Sequence, residues 1–349
     1  MQLDSLAVIR DRDREDALGV IADSYKQLSF NARIHNDNSS KAFKPQNAVL
    51  SGMGGSALAG LMAVRWLRHD YHLAIPFEIS REYTLPEYVD SHSLAIIFSV
   101  SGNTEETLSS LDDALAKQAH VVIVTSGGKL LERAQKENLP YIQLDKISQP
   151  RYGIFMHLRA IAKVFEECRL LTGAYSELAS TQDNVSNFAR KLTAVVPVER
   201  NAAKQLALNC VGKTVLTYAS SWFYPLAYKW KTSFNENAKN TIWCNEFPEF
   251  NHNEFIGWTS HPIEKPFAVI NLRSNLDSGR VNQRFDLSER LLSGNRPHAI
   301  NIELEGTSFI EQMICGAILG DFSSIYLGIL NGVDPTPVPL VERFKKELD

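Results

Sequence analysis

Cysteine is scarce: Cys168, Cys210, Cys244 and Cys315 are scattered over 349 residues, and no two form a CxxC pair. That spacing provides neither a disulfide framework nor a thiolate zinc site, and it points to reduced thiols in a cytoplasmic protein. A basic surplus is also missing. With 36 Lys+Arg against 40 Asp+Glu the net charge is −4, so no general positive field attracts nucleic acid or anionic lipid. The sequence has no HxH or HExxH cluster for a metal and no GxxxxGK[ST] nucleotide loop. The N-terminus turns charged before a signal-like apolar stretch develops. The most apolar run, 309–330, is interrupted by Glu311, Gln312 and Asp321 and reads as a buried helix, not a membrane span. These absences lead to the expectation of a soluble cytoplasmic protein without a metal, nucleic-acid or membrane partner.

What remains is a globular composition, 44% hydrophobic and 22% charged, long enough for two domains with separate cores. After an N-terminal helical segment, 1–45, strand and helix alternate. Strands are expected at 48–51, 94–100, 120–125 and 141–144, with helices at 58–68, up to 117 and at 129–137. The nearly all-apolar LAIIFSV at 94–100 has the pattern of a parallel strand buried on both faces. Helices at 154–171 and 181–196 lead to a second cycle. Its strands are expected at 214–218, 267–272 and 298–304, and its helices at 221–234, 286–292, 308–330 and 338–348. The expected fold is α/β, with two mainly parallel sheets flanked by helices in tandem. The expected domains are 46–190 and 191–349.

Two glycine-bearing turns interrupt the first cycle. GMGGSA, Gly52 to Ala57, sits between a strand and a helix, where close backbone approach and a helix N-terminus suit an anion. By itself it also fits an ordinary strand–helix turn. SVSGNTEET is more specific: Ser99, Ser101 and Thr104 surround a Gly-Asn turn at the carboxyl end of a buried strand. Helix capping by Thr104 explains part of this pattern. Three hydroxyls at the edge where open α/β sheets bind ligands point to a small phosphate monoester.

Residues 234–258 read FNENAKNTIWCNEFPEFNHNEFIGW, with four Glu, six Asn, a Lys and a His among aromatics. Polar groups interleaved in this way predict the lining of a ligand cavity. Glu236 and His252 are its candidate proton-transfer groups.

GMGGSA followed by SVSGNTEET resembles the sugar isomerase (SIS) domain. NENAK, FPEFNHNEFIGW, DPTPV and a Lys-bearing terminal helix narrow the resemblance to the bifunctional phosphoglucose/phosphomannose isomerases. The resemblance runs from about residue 45 to the end and implies two tandem SIS-type domains, each with three αβα layers. It also implies 6-phosphosugar substrates and no cofactor, with phosphate on Ser99, Ser101 and Thr104. Gly54, Gly55 and Ser56 would line the sugar, and Arg151 of Gln149-Pro150-Arg151 would stabilise an enediolate. By the same resemblance Glu236 is the base shuttling a proton between C1 and C2 through a cis-enediol, and His252 opens the ring. The 16-residue interval (252 − 236) agrees with the family pattern. Lys345 matches a C-terminal lysine acting at the ring oxygen, with Lys346 beside it. A homodimer with shared active sites is implied too.

The activity expected is interconversion of glucose 6-phosphate, mannose 6-phosphate or both with fructose 6-phosphate. The alternative is a non-catalytic phosphosugar-binding regulator, which needs the serine loop but not Glu236, His252 and Arg151 together. An amidotransferase's isomerising portion would require a glutaminase domain with an N-terminal cysteine, which this sequence lacks.

Overall fold

The computed structural model describes residues 2–36, 43–260 and 266–348, with the side chains of Ser260, Lys345 and Lys346 outside the description. Contacts divide the chain into two units, Ser24–Asp183 and Met1–Asp23 joined to Asn184–Asp349. The N-terminal segment is therefore shared out between the units. Its first residues are tied to the second unit by specific bonds: the Val198 N–H donates to Asp4 at 2.9 Å, and Arg12 donates to the Ile329 carbonyl.

The Ser24–Asp183 unit holds six strands: β1 Ile34–His35, β2 Asn47–Ser51, β3 Phe77–Ser80, β4 Ser93–Phe98, β5 His120–Thr125 and β6 Tyr141–Gln143. Their order is β1-β6-β5-β4-β2-β3. Every pairing is parallel except the antiparallel β1–β6 pair. Central β4 is buried at every position, as its apolar run predicts. Val49 lies opposite Ala95, and Ala95 opposite Val121. On that face they pack with Leu111 and Leu130 from the helices Glu105–Ala116 and Gly128–Lys136.

The other unit holds β7 Thr214–Ser220, β8 Ile242–Phe247, β9 Phe267–Arg273 and β10 Ile300–Glu303, all parallel, in the order β10-β9-β7-β8. The run β3-β2-β4-β5 in one sheet has the same topology as β8-β7-β9-β10 in the other, so the duplication is one of strand order. The helix Phe309–Leu330 is long and apolar enough to cross a membrane, but 94% of its apolar window is buried in protein. It is a core helix.

Four elements depart from the sequence expectation in ways that bear on the site. The edge strands β3 and β8 carry mixed burial patterns and lack the apolar run that marks a central strand. The helix expected at 221–234 spans Tyr224–Ala238, so Glu236 lies within its last turn. The helix expected at 286–292 begins at Gly279, where the Ser278 hydroxyl accepts the Val281 N–H.

Candidate functional site

The Ser24–Asp183 unit reverses its winding between β2 and β4: β2 leads outward to β3, and the chain then returns to the other side of β2. Ligands in open α/β sheets bind at the carboxyl ends of the strands flanking such a reversal. Gly52–Ser56 follows β2 and Ser99–Thr104 follows β4, so both glycine turns sit there. They also touch, since a Cβ on Gly52 would lie 2.7 Å from the Phe98 carbonyl oxygen.

The hydroxyls form a cluster. Ser99 Oγ lies 2.8 Å from Thr104 Oγ1 and 3.4 Å from Ser101 Oγ. Thr104 occupies the N-cap position of the Glu105–Ala116 helix, yet its side chain makes no capping bond. Its hydroxyl is turned to Ser99 instead. The helix Gly54–Asp70 likewise begins without a side-chain cap. A hydroxyl cluster beside a helix N-terminus that no side chain caps is a geometry suited to an anion. Gly102 is required here: its φ is +70° and a Cβ would fall 1.8 Å from the Gly127 carbonyl oxygen. The β4 and β5 loops thus interlock, aided by the Lys129 N–H donating to Asn103 Oδ1 at 3.0 Å. Asn103, Gly127 and Gly128 were missed in the sequence, although the Gly pair just beyond an apolar strand was a readable signal.

Gly55 joins the second part of the site. A Cβ there would lie 2.9 Å from the Pro150 carbonyl oxygen, so the Gln149-Pro150-Arg151 turn rests against the Gly54-Gly55-Ser56 turn. Arg151 is buried, at 4% exposure, and not a surface arginine. Its guanidinium bonds Gln149 Oε1 at 3.1 Å and lies 4.7 Å from the centre of the Tyr152 ring. Charge fixed in this way can face developing negative charge without reorganising.

His157, on the buried helix Ile154–Glu167, was also missed because one histidine in an apolar run carries no local signature. It is fully buried, and burial pushes its imidazole down to about 3, with the Gly55 backbone opposing. The folded state therefore resists a proton that the unfolded chain accepts below about pH 6.5. Stability contributed by neutral His157 is complete above that pH and is lost as pH falls toward 3. Between pH 6.5 and 5 the loss is about 2 kcal/mol. Urea denaturation at pH 7 and pH 5 should show this slope, flattened in His157→Gln; equal slopes would refute it.

In the other unit, Glu236 is half-buried in the last turn of the Tyr224–Ala238 helix. His252 is exposed at the end of a short 3-10 turn, Glu249–His252, beyond β8. That helix enters β8 at its amino end, and the histidine follows its carboxyl end. The two residues therefore attach at opposite ends of a six-residue strand.

The aromatics between them divide between core and surface. Phe247, Phe250 and Trp258 are buried in the core with Tyr218 and Phe285, while Trp243 and Ile256 are exposed at 59% and 70%. Glu254 is committed structurally, accepting from the Tyr218 hydroxyl and from Asn245 Nδ2 at 2.7 Å. Lys345 belongs to the helix Pro339–Leu348, but its side chain lies outside the described residues.

The corresponding reversal in this unit lies between β7 and β9, and its polar groups are otherwise engaged. Ser274 donates to Gln312 Oε1 at 2.6 Å, and Ser221 donates to the Phe247 carbonyl at 3.0 Å. Among the described residues, the hydroxyl cluster belongs to the first reversal.

Residues 199–348 match the family described as the bacterial phospho-glucose isomerase C-terminal SIS domain. The chain is 31% identical over 336 residues to the bifunctional phosphoglucose/phosphomannose isomerase of Aquifex aeolicus, covering 96% of this chain and 98% of that protein. It is 35% identical over 311 residues to the protein of that name from Caldicellulosiruptor bescii, covering 88% and 91%. A solved glucose-6-phosphate isomerase-like protein from Thermus thermophilus superposes with a TM-score of 0.67 at 19% identity, covering 99% of this chain and 98% of that one. That likeness shows a shared fold, and the family match identifies it as SIS-type.

Proposed function

The chain belongs to the bifunctional phosphoglucose/phosphomannose isomerase family, and from that premise we propose how it acts as an aldose–ketose isomerase on phosphosugars. Its substrates are glucose 6-phosphate and mannose 6-phosphate, each interconverted with fructose 6-phosphate. The observation carrying this reading is the Ser99–Thr104 hydroxyl pair, 2.8 Å apart, beside helix N-termini that no side chain caps. It suits a phosphate monoester.

In this reading Ser99, Ser101 and Thr104 hold the phosphate while Gly54, Gly55 and Ser56 line the sugar. His252 protonates the ring oxygen as the ring opens, with Lys345 assisting. Glu236 removes the proton from C2 of the open aldose and returns it to C1, through a cis-enediol. Arg151 stabilises the enediolate oxygen. No metal is required, and the enzyme works in the cytoplasm.

The separation of Glu236 and His252 along β8 supports a homodimer. The two residues attach at opposite ends of β8, and in this reading the partner copy supplies the histidine. The regulator alternative accounts for the hydroxyl receptor but gives no role to Glu236, His252 and buried Arg151.

The test is to incubate the protein with fructose 6-phosphate and a chelator, then assay both aldose phosphates. Formation of both supports the reading; absence of both favours the regulator. Thr104→Val removes one phosphate-facing hydroxyl while keeping its shape. KM should rise about 10-fold or more, since a hydrogen bond to a charged group contributes ~1.5–3 kcal/mol. An unchanged KM would remove Thr104 from the phosphate site.

A further inference from the structure

The polar residues around Glu236 form a clamp on the last turn of its helix. Asn237 Nδ2 donates to Ser324 Oγ at 2.9 Å, and both residues are fully buried. Asn331 Nδ2 donates to the Ala238 carbonyl at 3.1 Å. Lys239, in the left-handed C-cap position with φ 49°, donates to the carbonyls of Asp334 and Pro335 at 2.7 and 3.1 Å. These acceptors and donors opposite the turn all belong to the end of the Phe309–Leu330 helix and the loop after it.

Packing tightens the same contact. Gly316, Gly320 and Gly328 face the Glu236 helix, and Cβ atoms on the first two would meet the side chains of Leu226 and Trp230, each at 2.5 Å. On Gly328 a Cβ would fall 2.6 Å from the Asn237 carbonyl oxygen. Side-chain ends can swing aside; a helical carbonyl yields only if the turn carrying Glu236 moves.

We propose that Asn237, Lys239, Ser324 and Asn331 are positioning residues that hold the Glu236 carboxylate in its proton-transfer geometry. This rests on the assignment of Glu236 as the base. A base must stay within hydrogen-bond reach of both carbons it serves, and a displacement near 1 Å can cost about 100-fold in rate.

Three variants test the inference by kinetics, beside a control at the far end of the helix pair. Ser324→Ala and Lys239→Met should lower kcat about 10- to 100-fold with KM within about twofold, and Lys239→Arg should recover most of the lost kcat. Leu226→Ala, which loosens the same helix pair away from Glu236, should lower the melting temperature and leave kcat unchanged. If Ser324→Ala and Lys239→Met keep full kcat, or if Leu226→Ala lowers kcat equally, the clamp is only structural. Turnover by Glu236→Gln would overturn both the base assignment and this inference. An inactive Glu236→Gln with a fully active Ser324→Ala would overturn this inference alone.

Discussion

Glu236→Gln is expected to lower kcat by about 10²- to 10⁴-fold, the range contributed by a positioned general base, while sugar-phosphate affinity stays unchanged. The substitution keeps the side chain's length and the helix intact but removes the group that accepts and returns the proton. The hydroxyls proposed to hold the phosphate lie in the other of the two compact units, so the substitution leaves them untouched. A second readout isolates the chemical step. In heavy water the unaltered enzyme should exchange deuterium into C1 and C2 of the sugar, and the variant should not. Full turnover, or exchange at the normal rate, would remove Glu236 from the base role and leave the half-buried carboxylate a structural group.

The central frame of the fold was legible in the sequence. β4, β5 and β9 are near-continuous apolar runs, and their positions follow from that pattern. The hydroxyl cluster was legible because its residue types are unusual together: three hydroxyls around a Gly-Asn turn after a buried strand. β8 was not legible. An edge strand contacts one neighbour, so Trp243, Cys244 and Asn245 need not be apolar in alternation, and the strand read as cavity lining. His157 and the clamp around Glu236 stayed hidden for a different reason. Their partners are distant in sequence, Asn237 from Ser324 by 87 positions, and no local pattern registers such a pairing. Asn237 and Lys239 of NENAK are bonded to a helix and the loop after it that only the fold brings beside them.

Lys229 and Asp321 lead to the largest expected effect on stability. The pair joins the Glu236 helix to the core helix Phe309–Leu330 with side chains only 1% and 6% exposed. Ser233 completes it, lying 2.7 Å from Lys229 Nζ and 2.6 Å from Asp321 Oδ1. Removing one partner leaves a buried charge uncompensated, so Asp321→Asn should cost about 3–5 kcal/mol, read as a lower denaturant midpoint. A buried pair is different from its halves: replacing both members by apolar residues of similar volume is often neutral or stabilising. Lys229→Met combined with Asp321→Leu should therefore regain most of the lost stability. Its kcat should remain depressed, because an apolar contact fixes the axial register of two helices less sharply than directed bonds do. Lys229, Ser233 and Asn237 recur every four residues on the helix that ends just beyond Glu236, so register lost at one bond is passed to the base. A double variant with both stability and kcat restored would show that the Asn237 and Lys239 bonds hold the turn unaided. A single variant costing less than about 1 kcal/mol would show that Lys229 finds other compensation in the core.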